Sequence, residues 1–214
     1  MHLNFQKRAT PLSLGVFFSG AGTNLKAILE ACARHEIDAE VRLALTNRPQ
    51  SPGIRFAKEC AAPLAVLRRD QFPTRAAQQA AMLEAAISHG VELVVQVGFD
   101  QILNNAFVER YRNRMINLHP SLLPAFGGGL HAVRDALDWG AKVTGVTVHI
   151  ANEDLDAGPI LLQEAVAIRE DDTEETLYAR VQEVEHRLVP AAIQLFAEDR
   201  VRLEGRRALI LPKP

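Results

Sequence analysis

Two stretches of the chain hold residue types that could do chemistry together: Asn117-Leu118-His119 and Asp154-Leu155-Asp156-Ala157-Gly158-Pro159. Asn117 and His119 are separated by one residue at the end of an apolar run, so in a strand both side chains stand on one face. An amide N–H and an imidazole side by side can stabilise a developing oxyanion and carry a proton. A carboxylate brought to the histidine raises its proton affinity and fixes its orientation, and Asp156 is the candidate. The trio has no nucleophile of its own, because asparagine cannot serve as one and Ser121 lies beyond Pro120. Such a set suits acyl transfer from one bound substrate to another. The residues alone leave plainer readings open, a hydrogen-bonded core pair for Asn117 and His119 and a local turn for Asp156.

Ser19-Gly20-Ala21-Gly22-Thr23-Asn24 follows an apolar run and opens a helical period. Free N–H groups at a helix start favour an anion, glycines let the backbone approach it, and Thr23 and Asn24 add donors, so a phosphate fits. Leu25 stands where the dinucleotide fingerprint needs its third glycine, and the lysine of a P-loop is missing, which disfavours a dinucleotide or nucleoside triphosphate. The alternative is a tight turn in which Thr23 or Asn24 only caps the helix. The other histidines form no metal set. His2 falls in a frayed terminus, His35 and His89 fall at helix ends, and His131 and His149, although able to approach the site, read first as capping or core residues. Glu185-His186 reads as part of a solvated helix face.

The elements that must position these residues are short apolar runs alternating with helical periods, the pattern of an α/β fold with a mostly parallel sheet. Strands are expected at 14–18, 41–46, 64–67, 93–97, 115–118, 143–150 and 160–168, with an edge strand at 200–203. Helices are expected at 24–34, 52–60, 74–88, 106–111, 130–139 and 174–197. The run at 93–97 is apolar almost throughout and belongs in the centre of the sheet. Residues 119–129, with Pro120, Pro124 and Gly127 to Gly129, read as an irregular, mobile loop, and 209–214 as a frayed tail.

The 214 residues are 48% hydrophobic, enough for an ordinary core, and 24 Lys+Arg against 26 Asp+Glu leave a formal net charge of -2. That balance gives no field for a polyanion, so nucleic acid is not the expected partner. The apolar run at 14–18 is too short for a signal or membrane segment, which reads as a soluble cytoplasmic protein. Cys32 and Cys60 lack a C-x-x-C spacing and read as buried thiols, with neither disulfide nor zinc.

Taken together, the stretch from Phe17 through Gly20-Ala21-Gly22-Thr23-Asn24 to Leu25, the run Asn117-Leu118-His119-Pro120-Ser121-Leu122-Leu123-Pro124, and Val148-His149 with Asp154 to Pro159 resemble the folate-dependent formyltransferases. The likeness runs from about residue 13 to about 205. It implies one domain over 1–214, a doubly wound, mostly parallel sheet with helices on both faces and an antiparallel strand near the C-terminal part. A nucleotide-phosphate half over about 13–100 would precede a catalytic and folate half over about 101–205. It also implies that 10-formyltetrahydrofolate, as cosubstrate and without a metal, gives its formyl group to the amine of glycinamide ribonucleotide in purine synthesis.

By position, the resemblance makes Asn117 and His119 the oxyanion stabilisers, His119 the proton donor, and Asp156 the group that keeps His119 charged and assists proton transfer through water. It places Gly22, Thr23 and Asn24 at the nucleotide phosphate and Glu185 at the ribose or glycinamide part. It assigns Asp100, Gln101, Ile102 and Leu103, with Asn117 and Arg75, to the folate. The family often reads Met-Arg where this chain has Asp100-Gln101. Two other functions remain: hydrolysis of formyltetrahydrofolate, whose enzymes usually carry an extra N-terminal regulatory domain, and a non-catalytic folate- or phosphate-binding module. The tRNA-directed relative, with an additional C-terminal domain and a basic face, fits less well.

Overall fold

A computed structural model of the chain describes residues 8–213; His2 and the rest of the expected frayed N-terminus lie outside the described residues, as does Pro214. The elements run β1 (Leu12–Phe18), α1 (Thr23–Ala33), β2 (Ala39–Thr46), α2 (Ile54–Glu59), β3 (Leu64–Val66), a single 3-10 turn at Arg69–Gln71, α3 (Arg75–Ser88), β4 (Leu93–Val97) and α4 (Asn105–Arg110). They continue with β5 (Met115–His119), α5 (Ala132–Asp138), β6 (Val143–Ile150), β7 (Ile160–Ala167), α6 (Glu174–Ala197), β8 (Val201–Glu204) and β9 (Arg207–Ile210).

The nine strands among the described residues form one sheet in the order β3-β2-β1-β4-β5-β6-β7-β9-β8. The first five are parallel, β6 is antiparallel to both β5 and β7, and β8 and β9 form an antiparallel hairpin that joins β7 through β9. Strand order reverses beside β1, with β2 and β3 on one side and β4 and β5 on the other. The carboxyl ends of β1 and β4 therefore open a crevice, the usual ligand position in such sheets.

Alternation along the strands divides the apolar residues between two cores. Leu14, Val16 and Phe18 of β1 and Leu93, Val95 and Val97 of β4 pack with α1, α2, α5 and α6, while Phe17, Leu43, Leu45 and Val94 pack with α3 and α4 on the other face. Burying each such side chain contributes about 1.5–3 kcal/mol. β4 is buried along its whole length between β1 and β5, as its unbroken apolar run requires. Ile116 and Leu118 of β5 and Val148 and Ile150 of β6 point into the α6-side core, so Asn117, His119 and His149 are left on the opposite face.

Three expectations are corrected. The tail is not frayed from 209: Leu209 and Ile210 belong to β9, because Gly205, at φ 59, turns the chain back on β8, and the Leu211 N–H then donates to the Arg200 carbonyl. Cys60 is exposed rather than buried, since it caps the end of α2; Cys32 is half-buried. The first half of the 119–129 loop is pinned rather than mobile. Thr147 Oγ1 donates to the Ser121 carbonyl and accepts from the Leu123 N–H, Ser121 Oγ donates to the Ala125 carbonyl, and Gln163 Nε2 donates to the Leu123 carbonyl.

β6 approaches both β7 and this loop at Gly145, where an added Cβ would stand 2.2 Å from the Glu164 carbonyl oxygen and 2.6 Å from Leu122 Cδ2. Overpacking of this kind costs about 1–3 kcal/mol. Gly145→Ala is therefore expected to melt several degrees below the wild type in a thermal scan, and an unchanged midpoint would contradict the close approach.

Candidate active site

The antiparallel register of β5 and β6 sets Asn117 opposite His149, and the turn after β6 returns Asp156 over both. Asp156, at φ 52, holds its carboxylate among donors from several segments. Oδ2 lies 3.3 Å from His119 Nδ1 and accepts the Gly128 N–H at 2.8 Å. Oδ1 accepts from Asn117 Nδ2 at 3.3 Å and lies 3.5 Å from His149 Nε2. Asn117 Nδ2 is also 3.1 Å from His149 Nε2, and His149 Nδ1 faces the Ile150 carbonyl at 3.2 Å. The side chains of His119 and Asp156 are each only 6% exposed, so this charge lies mostly out of water. Burial works against ionisation of Asp156, but His149, the Gly128 amide and the nearby His119 outweigh it and hold the carboxyl below its usual range.

The other ring nitrogen of His119, Nε2, donates to the Phe126 carbonyl at 2.9 Å. With Nδ1 turned to Asp156, Nε2 is the nitrogen left to meet a ligand, and Phe126 now occupies that position.

These groups border a cavity of about 880 Å³ at the carboxyl end of the sheet, whose wall includes Asn117, His119, Asp156, Asn24, Glu185 and the segment from Gly98 to Leu103. That volume falls in the range of small-ligand sites. α1 begins beside it. Gly22 is the N-cap at φ 75, a Cβ there would stand 2.4 Å from Gly53 Cα, and no side chain caps the helix. Thr23 and Asn24 are thus not capping residues: Thr23 Oγ1 accepts from Gln182 Nε2, and Asn24 Nδ2 donates to Glu185 Oε2 at 2.9 Å. Asn24 Oδ1 is buried without a partner among the described residues.

Glu185 is not on a solvated face. It is 3% exposed, and burial pushes its carboxyl up to about 7, an effect that the Asn24 hydrogen bond offsets only in part.

On the far side of the cavity, Arg75 and Gln79 of α3 both donate to the Ile102 carbonyl, and Gln101 Nε2 donates to Gln78 Oε1. Ile102 is exposed at the cavity and Leu103 is buried behind it. Arg75 borders a smaller recess of about 340 Å³ with Arg69, Asn47, Asp100 and Gln101. Asp100 lines both spaces, but its carboxylate is bonded to Ser19, Asn47 and Arg48. His149, which reads first as a core or capping residue, stands inside the site beside Asn117 and Asp156, while Gln78, Gln79 and Gln182, which the sequence reading does not name, hold Gln101, Ile102 and Thr23 in place.

Among the described residues, no group of three or more His, Cys, Asp or Glu is placed to hold a metal, and no helix is long and apolar enough to cross a membrane.

Residues 13–193 match the formyl transferase family. The chain is 39% identical over 200 residues to phosphoribosylglycinamide formyltransferase of Mycobacterium tuberculosis, covering 94% of this chain and 92% of that one. It is similar in fold to the crystal structure of glycinamide ribonucleotide transformylase 1 from Symbiobacterium toebii, with a TM-score of 0.93, 40% identity and 99% of each chain covered. It is also 37% identical, over 94% of its own length, to the trifunctional purine biosynthetic protein adenosine-3 of Gallus gallus, of which it spans only 20%.

The raised carboxyl of Glu185 has a consequence for stability. The folded chain holds this proton more tightly than the unfolded chain, whose carboxyl titrates near the ordinary 4.5, so the proton's stabilising contribution is complete below that value and is lost as pH rises through about 7. Glu185→Gln lacks this loss. In urea unfolding the variant is expected to gain stability relative to wild type between about pH 5 and about pH 8, on the order of 2 kcal/mol; parallel pH profiles would contradict the burial of a titrating carboxyl.

Proposed function

The chain belongs to the formyl transferase family, and from that premise we propose that it transfers the formyl group of 10-formyltetrahydrofolate to the amine of glycinamide ribonucleotide. The products are formylglycinamide ribonucleotide and tetrahydrofolate, a step of purine synthesis, and the reading places the enzyme in the cytoplasm. One observation carries this more than any other: Asn117, His119 and Asp156 meet at a cavity with a bare helix start on one side and the Gly98 to Leu103 segment on the other. A site with an oxyanion donor, an acid–base pair and no side-chain nucleophile suits attack by a substrate amine.

In this reading the nucleotide phosphate takes the N–H groups of Gly22, Thr23 and Asn24, where the helix dipole favours its charge. Glu185 and Asn24 receive the ribose or glycinamide part, and the free Asn24 Oδ1 accepts one of its donors. The pterin lies against the backbone of Asp100, Gln101, Ile102 and Leu103, with Asn117 at its inner end, and Arg75 stands near the rest of the folate. The segment over about 13–100 thus serves the nucleotide phosphate and that over about 101–205 serves catalysis and folate, within one domain.

The amine nitrogen attacks the formyl carbon, forming the new C–N bond and pushing the carbonyl electrons onto oxygen. Asn117 Nδ2 and His119 Nε2 donate to that oxyanion. For this, the substrate oxygen replaces the Phe126 carbonyl at His119, and one Asn117 N–H leaves its present partner. Collapse breaks the bond to N10 of the folate. The amine loses a proton and N10 gains one, the transfer passing through His119 and water held by Asp156. Asp156 at 3.3 Å keeps the imidazole turned so that Nε2, not Nδ1, faces the cavity.

The experiment is absorbance-monitored consumption of 10-formyltetrahydrofolate with and without glycinamide ribonucleotide. Nucleotide-dependent turnover is expected, reduced by about two to four orders of magnitude in His119→Ala, the usual range for a positioned acid or base. Equal turnover without nucleotide would instead mean hydrolysis, and none under either condition a binding module.

A further inference from the structure

The loop after β1 and the segment after β4 leave the sheet on the two sides of its switch point, and a single carboxylate joins them. Asp100 Oδ1 accepts from Ser19 Oγ and from Asn47 Nδ2, each at 2.8 Å, and Oδ2 accepts from Arg48 Nε at 2.6 Å. Arg48 Nη2 completes the ion pair. The Asp100 N–H donates back to Ser19 Oγ at 3.1 Å, and Ser19 Oγ lies 2.7 Å from Asn47 Oδ1, so its one hydrogen is shared between two acceptors. Ser19 is 6% exposed and the Asp100 side chain 18%. Burial opposes the Asp100 charge, but the bonds from Asn47, Ser19 and Arg48 outweigh it and hold the carboxyl below its usual range.

Ser19 is the residue before Gly20-Ala21-Gly22 on the nucleotide side, and Asp100 begins the run to Leu103 on the folate side. A backbone bond from the Ser19 N–H to the Gly98 carbonyl, at 2.9 Å, joins the two segments where they leave the sheet, and the Asp100 carboxylate ties them again one step further out. The Asp100 carboxylate has both oxygens committed to protein donors, so its side chain is arranged to hold the frame and not to contact a ligand.

We propose that Asp100, through Ser19, Asn47 and Arg48, is a positioning residue that fastens the nucleotide-side loop to the folate-side segment and so sets the separation at which the two substrates are presented. The inference rests on the formyl-transfer reading of the cavity. Its consequence is cross-talk: damage at one end of the cluster appears in the binding of the substrate at the other end.

The test is the Michaelis constant for each substrate, together with kcat and the melting midpoint, in Ser19→Ala, Asp100→Asn, Asp100→Ala and the double variant Ser19→Ala/Asp100→Ala. Ser19→Ala is expected to raise KM for 10-formyltetrahydrofolate, and Asp100→Ala to raise KM for glycinamide ribonucleotide, by about tenfold or somewhat less, with a smaller fall in kcat. The double variant is expected to be no worse than Asp100→Ala, because its members act as one unit. Asp100→Asn, which keeps one acceptor oxygen, recovers part of the loss. If Asp100→Ala does not fold, Ser19→Ala and Asp100→Asn carry the same cross-comparison. Effects confined to each residue's own side, adding in the double variant, overturn the positioning role while leaving formyl transfer intact. Wild-type protein without nucleotide-dependent turnover overturns both.

Discussion

The rest of the site depends on one buried negative charge. A carboxylate taken out of water without partners costs several kcal/mol, and Asp156 avoids that cost only where donors from separate parts of the chain arrive together. They come from β5 through Asn117 and His119, from β6 through His149, and from the 119–129 loop through the Gly128 amide. Each donor is oriented by the same contact that stabilises the charge. The constraint reaches into the sheet: a slip of one residue between β5 and β6 would turn Asn117 and His149 to opposite faces and leave Asp156 without half its partners.

A second constraint comes from topology. The parallel strands deliver the starts of α1 and of the 98–103 segment to the same end of the sheet, and the turn after the antiparallel β6 folds back over the sheet face to bring Asp156 against Asn117, His119 and His149. The helix start offers positive partial charge and the imidazole–carboxylate pair offers proton transfer, so a phosphorylated amine and an acyl donor can meet with little motion of the frame. Several polar groups of the site bond one another: Asn24 bonds Glu185, His119 bonds the Phe126 carbonyl, and Asn117 bonds Asp156.

What reading the sequence could reach follows from which contacts are local. Asn117 and His119 lie on one face by strand alternation alone, and the Asp154 to Pro159 turn advertised itself through its glycine and proline. His149 was harder, because its place beside Asn117 depends on an antiparallel register that no neighbouring residue encodes. Glu185 reads as solvated because Gln182, Glu183 and His186 surround it in sequence; it shares a helical face with Val181, Leu188 and Val189, at spacings of four, three and four, and that spacing carries the signal. Asp100 read as a ligand contact, whereas its partners sit at the ends of β1 and β2, far off in sequence and near only in a parallel sheet. β9 reads as a loose tail although Leu203 and Ala208 flank a turn at Gly205; a four-residue strand is too short for alternation to speak clearly.

The most direct test of the account is the structure of the protein with glycinamide ribonucleotide and an unreactive folate analogue bound together. The account predicts the phosphate on the N–H groups at the start of α1, the amine beside the position of the formyl carbon, and the formyl oxygen within hydrogen-bond distance of Asn117 Nδ2 and His119 Nε2, with the Phe126 carbonyl displaced. A phosphate bound elsewhere, or His119 still bonded to Phe126 with both ligands in place, would contradict it.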